Sequence, residues 1–190
     1  LTTSTEAHAA LVQYLADSGR YQLSPEQAMM FAHEESPAFV VGGFQIALSA
    51  GRAIDRLKQA FKSGEGIGWH EHDHGVFHGC ARFFRPGYIG NLVQNWIPSL
   101  DGVESRLKAG IRVADVGSGY GYSTILMAQA YPKSTFVGFD YHRESIDAAR
   151  ARAVEAGVAD RVTFEVGGAK DFGGGRYDFI TVFDALHDMG

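Results

Sequence analysis

The sequence predicts an α/β protein whose second half is a doubly wound parallel sheet, and three observations carry that prediction. Apolar, β-prone runs at 111–116, 135–139, 161–166 and 177–183 alternate with helical stretches at 121–130 and 145–156. The first run ends in a glycine-rich turn, Gly117-Ser-Gly119-Tyr-Gly121, that opens directly into a helix. The chain also holds 24 glycines in 190 residues, about 13% against a usual share of roughly 7%. Many of them fall between the apolar runs, as turn punctuation rather than as a flexible linker.

Strand, turn, helix and strand make the unit of a parallel sheet with right-handed crossovers. Ligands in such sheets bind outside the carboxyl ends of the strands. The chemistry is therefore expected near residues 116–121, 140, 167–171 and 184–188.

Composition narrows the function. Lys+Arg is 17 and Asp+Glu is 22, a net charge of −5. A general grip on nucleic acid needs clustered cations, so the balance argues against nucleic acid as the main partner. One cysteine, Cys80, excludes an internal disulfide framework and a cysteine-based zinc finger. The longest mostly apolar run, 38–51, is interrupted by Gln45 and Ser49 and is shorter than the about 20 residues a bilayer requires. No charged start followed by an apolar stretch marks a signal peptide. The expectation is a soluble, cytoplasmic protein without a membrane partner. The chain starts at Leu1 without a methionine and stops at Gly190 just after a strand-like run, so it reads as a fragment of a longer product.

Residues 1–33 read as the end of a small domain. Leu11-Val-Gln-Tyr14 and Arg20-Tyr-Gln-Leu23 are β-prone and are joined by the loop 15–19, the pattern of a hairpin. Ser24-Pro25-Glu26-Gln27 then starts a helix to about His33, with Ser24 as cap, Pro25 in the first turn and Gln27 closing a capping box.

Residues 34–110 read as a mostly helical segment. Ser36-Pro37 repeats the cap-plus-proline start. Phe44, Ala47, Leu48, Gly51, Ile54, Leu57 and Phe61 recur at three and four, which predicts one long helix ending near Ser63-Gly64. Its stripe is core or subunit packing. Residues 64–87 read as a loop rich in aromatics and histidines. Ile89, Leu92, Val93, Trp96 and Ile97 make a further stripe, broken at Pro98, and Val103 and Leu107 continue it to a stop at Gly110.

The strongest motif is Val113-Ala-Asp115-Val-Gly117-Ser-Gly119-Tyr-Gly121. Glycines let backbone approach a ligand with no Cβ in the way, and the helix behind them offers unpaired N–H groups. Asp140 ends the next strand, 25 residues after Asp115. A dinucleotide fingerprint would put its third glycine where Tyr122 stands. A pyrophosphate would be repelled by Asp115; a ligand with an ammonium and a sulfonium and no phosphate would not. Asp140 can accept both hydroxyls of a ribose.

In these residues the chain resembles class I S-adenosylmethionine-dependent methyltransferases. The resemblance implies a Rossmann-like fold with S-adenosyl-L-methionine as cofactor, held by Asp115, Gly117, Ser118, Gly119 and Asp140. It further implies that Tyr141 lies against the adenine. Gly167-Gly168-Ala169-Lys170-Asp171 falls where the family contacts the adenine edge, with Gly168 in place of a frequent aspartate, so backbone groups at Ala169 and Lys170, or the side chain of Asp171, are the candidates there. Phe183, Asp184, His187 and Asp188 match its fourth-strand motif, which faces the methionine end and the substrate. More narrowly, the chain is similar to bacterial methyltransferases with an N-terminal winged-helix domain. The segment from Arg20 to Gln27 resembles the wing and exit of that domain, and Gly68-Trp-His-Glu-His and Arg82-Phe-Phe-Arg-Pro-Gly-Tyr88 resemble its connecting region.

These implications give three regions: 1–33 as the end of a winged-helix domain, 34–110 as a helical dimerisation and lid segment, and 111–190 as a cofactor-binding domain that the family would extend. Tyr88 is the candidate to reach the cofactor's methionine end. Trp69, His70, Phe84 and Asp184 are candidates for the substrate pocket. His187, with Asp188, is the candidate base. His70, His72, His74 and His78 approach the H-x-H-x-D-H signature of metallo-β-lactamase-like hydrolases but are one residue short, and no metal is expected. The function expected is in-line transfer of a methyl group to a small molecule by a homodimer. The alternatives are a winged-helix regulator that senses S-adenosylmethionine and a methyltransferase acting on protein or nucleic acid.

Overall fold

In the computed structural model, residues 17–19, 22–171 and 175–189 are described, Asp188 by its backbone alone. The chain runs through helices α1 (Pro25–Phe31), α2 (Val41–Arg52), α3 (Ile54–Ser63), α4 (His74–Asn91) and α5 (Val103–Ala109). It then alternates β1 (Arg112–Val116), α6 (Tyr122–Ala130), β2 (Thr135–Asp140), α7 (Arg143–Glu155), β3 (Val162–Val166) and β4 (Phe179–Thr181). The strands form one parallel sheet in the order β3-β2-β1-β4. The chain winds outward from β1 through β2 to β3, then crosses back to lay β4 on the other side of β1. That reversal is the switch point of a Rossmann-like sheet, and a crevice opens beyond the carboxyl ends of β1 and β4.

β1 to β3 lie where the sequence places them: β1 and β2 are buried on both faces, the pattern of a covered parallel sheet, while β3, at the edge, buries only Val162 and Phe164 on one face. Val113, Phe136, Val162 and Phe164 pack with Met127, Ile146 and Val158, and with Leu92, Ile97 and Leu107 from the preceding helices. Ala114, Val137 and Phe139 face the other way, with Tyr177 against them. β4 is shorter than its apolar run: only 179–181 pair with β1.

The helical half departs from the sequence reading in four places. α1 has the full capping box: Ser24 Oγ accepts from Gln27 N at 3.2 Å, and Gln27 Oε1 accepts from Ser24 N at 2.9 Å. Before it, however, residues 17–18 are helical and Gly19 is left-handed, not a hairpin loop; the two expected strands fall largely on 1–16 and 20–21, outside the described residues. Ser36-Pro37 forms a turn, with Ser36 Oγ accepting from Ala38 N at 3.2 Å, and α2 begins later, at Val41. The expected long helix is broken at Ala53 into α2 and α3. Its stripe does not face the chain's own core: Leu48 is 70% and Phe61 88% exposed.

The fourth departure is the expected loop at 64–87, most of which is the 18-residue helix α4. Asp73 caps it, Oδ1 accepting from Gly75 N at 2.9 Å. Its glycines read as breakers but serve a crossing. A Cβ on Gly42 of α2 would stand 2.5 Å from Phe83 N and 2.6 Å from Gly79 O, and one on Gly79 would stand 2.7 Å from Ile46 Cγ1. Two helices meet here at backbone distance, which only glycine allows. A π-turn at Leu92–Trp96 then leads to α5. Among the described residues, no helix is long and apolar enough to cross a membrane.

Candidate functional site

The glycine turn hangs from the end of β2. The N–H groups of Gly117 and Ser118 both donate to Phe139 O, at 2.8 and 2.9 Å. Gly117 and Gly119 have φ of 76° and 49°, the left-handed region that favours glycine. Their surroundings differ. A Cβ on Gly117 would stand 2.5 Å from Ala185 Cβ, whereas one on Gly119 would meet no protein atom within 4 Å. The first glycine lets two loops touch; the second leaves space on the cleft side. Between them Ser118 is buried, and its Oγ has no hydrogen-bond partner.

Asp140 closes β2 beside this turn. Its Oδ2 accepts from Gly119 N at 2.9 Å and its Oδ1 from His142 N at 2.8 Å. An ionised carboxylate has about four acceptor positions, so each oxygen keeps one for a ligand. Burial pushes the Asp140 carboxyl above the usual carboxylate range, against the pull of the two backbone donors.

A cleft of about 1120 Å³ opens over these groups. Gly117, Ser118, Gly119, Asp140, Tyr141, Ala169 and Lys170 line it. Tyr88, Phe183, Trp69, His70, Phe84, Asp184 and His187 line it as well. The structure thus gathers the residues the sequence singled out around one space, with two exceptions. The side chain of Asp188 lies outside the described residues, and Asp115 is not on the cleft wall.

Asp115 is 1% exposed and sits beneath the turn. Its Oδ2 accepts from Ser123 Oγ at 2.7 Å and Thr124 Oγ1 at 2.6 Å, and its Oδ1 from Thr181 Oγ1 at 2.9 Å. Burial pushes its carboxyl up, opposed by these three hydroxyl donors. The carboxylate that the motif places as though to face a cationic ligand is instead bound from inside the protein by three hydroxyls.

Much of the cleft lining is aromatic. The Tyr88 ring lies 5.5 Å from Phe183 and 6.5 Å from Phe84. Burial, with the Asp115 and Asp184 carboxylates nearby, holds the Tyr88 phenol well above its ordinary value, so it stays protonated. Asp184 has a φ of 49°, unusual for a residue other than glycine. Its Oδ1 lies 4.0 Å from Nδ1 of His187, in the 3₁₀ turn Leu186–Asp188. Trp69 stands edge-on to Phe77 at 5.1 Å, and His70 edge-on to Tyr141 at 5.9 Å.

Phe77, Cys80 and Ala81 also line the cleft and were missed in the sequence reading. With Phe84 and Tyr88 they recur at three and four along α4, a helical signal hidden by the glycines and Pro86. Phe77 in turn stacks on His142 at 4.1 Å.

The histidine run disperses. His70 turns to Tyr141, His72 to Trp69, and His74 lies against His78 on α4. Among the described residues, no group of three or more His, Cys, Asp or Glu is placed to hold a metal ion.

Comparison with known proteins extends this geometry. A tRNA (guanine-N(7)-)-methyltransferase of Shewanella halifaxensis is 37% identical over 62 residues, 33% of this chain and 26% of its own length. A catechol O-methyltransferase of Mycobacterium tuberculosis is 37% identical over 76 residues, 37% of this chain and 34% of its own. The chain therefore spans about a quarter to a third of these curated relatives. A candidate O-methyltransferase from Nostoc punctiforme superposes on 92% of this chain and 54% of its own, with a TM-score of 0.58 and 22% identity, a likeness of fold. Residues 107–190, which hold the sheet, the glycine turn and Asp140, match the family model of the methyltransferase domain, and over that stretch the chain has the Rossmann-like α/β fold.

Proposed function

We propose that the protein is an S-adenosylmethionine-dependent methyltransferase that acts on a small-molecule acceptor. The observation that carries the reading is the Asp140 carboxylate, fixed by Gly119 N and His142 N at the rim of a turn that leaves open space at Gly119. The residues present fit the cofactor. Asp140 has acceptor positions for ribose hydroxyls, the buried Ser118 Oγ lacks a partner, and Tyr141 offers a half-exposed ring for the adenine. Ala169 and Lys170 supply the far edge of that end. When bound, S-adenosylmethionine supplies an electrophilic methyl group on a sulfonium.

The chain's own residues then position the acceptor. Tyr88, Phe84, Phe183 and Trp69 form apolar walls that suit a flat, uncharged molecule, with the Tyr88 phenol as a hydrogen-bond donor. His187, beside Asp184, takes the proton of the acceptor's hydroxyl. Lys170 is the single lysine or arginine among the described lining residues, and it sits at the adenine end. That lack of cations favours a small molecule over a phosphate-bearing polymer such as tRNA.

The reading includes residues 1–33 as the end of a winged-helix domain and 34–110 as a dimerisation and lid segment. For the homodimer, the support is the exposed row Phe44, Leu48, Ile54 and Phe61, with Phe31 stacked on Phe44 at 6.3 Å. The test of function is titration calorimetry with S-adenosylhomocysteine and with NAD. Binding of the first at micromolar affinity and not of the second is expected; the reverse overturns the proposal.

A further inference from the structure

The glycine turn and the loop after β4 form two neighbouring lips of the cleft. Gly117, Ser118 and Gly119 lie on the first, and Phe183, Asp184 and His187 on the second. Nothing in their separate sequences fixes one against the other. One buried side chain reaches both. β1 and β4 pair in parallel with Asp115 opposite Thr181, so the two side chains share a face of the sheet. Thr181, the last residue of β4, gives its hydroxyl to Asp115 Oδ1 at 2.9 Å, with a longer contact to Ala114 O at 3.3 Å. Ser123 and Thr124, in the first turn of α6, give theirs to Oδ2. Thr124 is fully buried, and Asp115 nearly so. A hydroxyl has one proton to give, so the donor capacity of all three side chains converges on this carboxylate.

We infer that Asp115 is a positioning residue that sets the acceptor lip of the cleft relative to the cofactor lip. The inference deepens the methyltransferase reading and rests on it for the names of the two lips, though not for the linkage itself. Oδ2 holds the start of α6, and with it the turn 117–121; Oδ1 holds the end of β4, and with it the loop 182–189. A charge-assisted hydrogen bond in a dry site is directional and among the stronger ones available, so the two loops keep one relative placement. The lips also touch directly, as the closeness of Gly117 to Ala185 requires. The carboxylate serves binding and transfer without contacting either partner.

Two near-isosteric variants separate the arms. Thr181→Val removes the hydroxyl to Oδ1 alone, and Thr124→Val removes one of those to Oδ2. Backbone amide exchange, read by mass spectrometry, and S-adenosylhomocysteine affinity, read by calorimetry, are measured for both. Thr181→Val should speed exchange in 182–189 about tenfold or more while 117–121 and the affinity change less than about threefold. Thr124→Val should do the opposite: faster exchange in 117–121, affinity weakened about tenfold, and 182–189 unchanged. Thr181→Ser, which restores the hydroxyl, should return exchange in 182–189 to that of the parent. Equal loosening of both loops by either variant, no loosening by either, or failure of Thr181→Ser to restore overturns the inference. A parent protein that binds no S-adenosylhomocysteine refutes the methyltransferase reading instead, and the exchange data still decide the role of Asp115.

Discussion

The N–H of Gly119 donates to Oδ2 of Asp140 across 2.9 Å, and this bond joins the glycine turn to the tip of β2. It holds the carboxylate in place before any ligand arrives. Asp140→Ala removes that anchor together with the acceptors offered to a ribose. S-adenosylhomocysteine affinity should fall by about 2–4 kcal/mol, as two charge-assisted hydrogen bonds predict when they are less than additive. Calorimetry showing unchanged affinity would remove Asp140 from the site.

The same carboxylate predicts a pH dependence. Only its ionised form accepts from two hydroxyls, and burial holds its folded-state value above the ordinary one of about 3.9. Affinity for S-adenosylhomocysteine should therefore weaken as pH falls, starting above the usual aspartate range. Stability linked to Asp140 and Asp115 runs the other way. Their raised values keep protons on the folded chain that the unfolded chain has released, so this contribution is full below about pH 3.9 and declines as pH rises through the folded values. Calorimetric titrations at stepped pH check the first point. An affinity that stays flat down to pH 4 contradicts it.

Gly117 and Gly119 should respond differently to alanine although both have positive φ. At Gly119 the added methyl enters open space on the cleft side, so the variant should fold, with a strain of about 1–2 kcal/mol, and lose ligand affinity. At Gly117 the methyl collides with Ala185, so the loop carrying Asp184 and His187 must move. Thermal unfolding and S-adenosylhomocysteine binding, measured side by side, separate the two. Equal behaviour of the two variants would contradict this assignment.

The crossing of α2 and α4 predicts opposite outcomes for two glycine-to-alanine changes. Gly42→Ala drives a methyl into the backbone of Phe83 and Gly79 and should destabilise by about 1–3 kcal/mol despite better helix propensity. Gly90→Ala, exposed on α4 with nothing within 4 Å, should stabilise by up to about 1 kcal/mol. Chemical denaturation is the measurement. A neutral Gly42→Ala would mean that the helices sit further apart.

His78 predicts an acid-sensitive contact. Burial, with His74, Arg152 and Arg82 facing it, lowers its pKa below the ordinary value of about 6.5. The Tyr120 ring, next to the glycine turn, packs 5.1 Å away. A lowered value gives stability that is present above about pH 6.5 and lost as pH falls toward the folded value. His78→Asn should therefore lose less unfolding temperature between pH 7.5 and 5.5 than the parent. An equal loss in both proteins would place the acid sensitivity elsewhere.

The sequence by itself determined the parallel sheet, the capping box of α1, the glycine turn and the place of Asp140 at the end of β2. Each of these is local: a run of apolar residues, a side chain capping a neighbour three residues on, or a chain that needs positive φ. Only the tertiary structure decided the rest. Residues 64–87 carry the composition of a loop, yet the close approach of Gly42 to Gly79 makes α4 a helix. The stripe from Phe44 to Phe61 has core periodicity but faces outward, because α2 turns Gly42 and Ser49 inward. Asp115 stands in the motif as though meant for a ligand. Its actual partners, Ser123, Thr124 and Thr181, include one 66 residues away, brought opposite it by the pairing of β1 with β4. Periodicity reports what a residue would gain by burial or pairing; which neighbour supplies it depends on how distant elements cross.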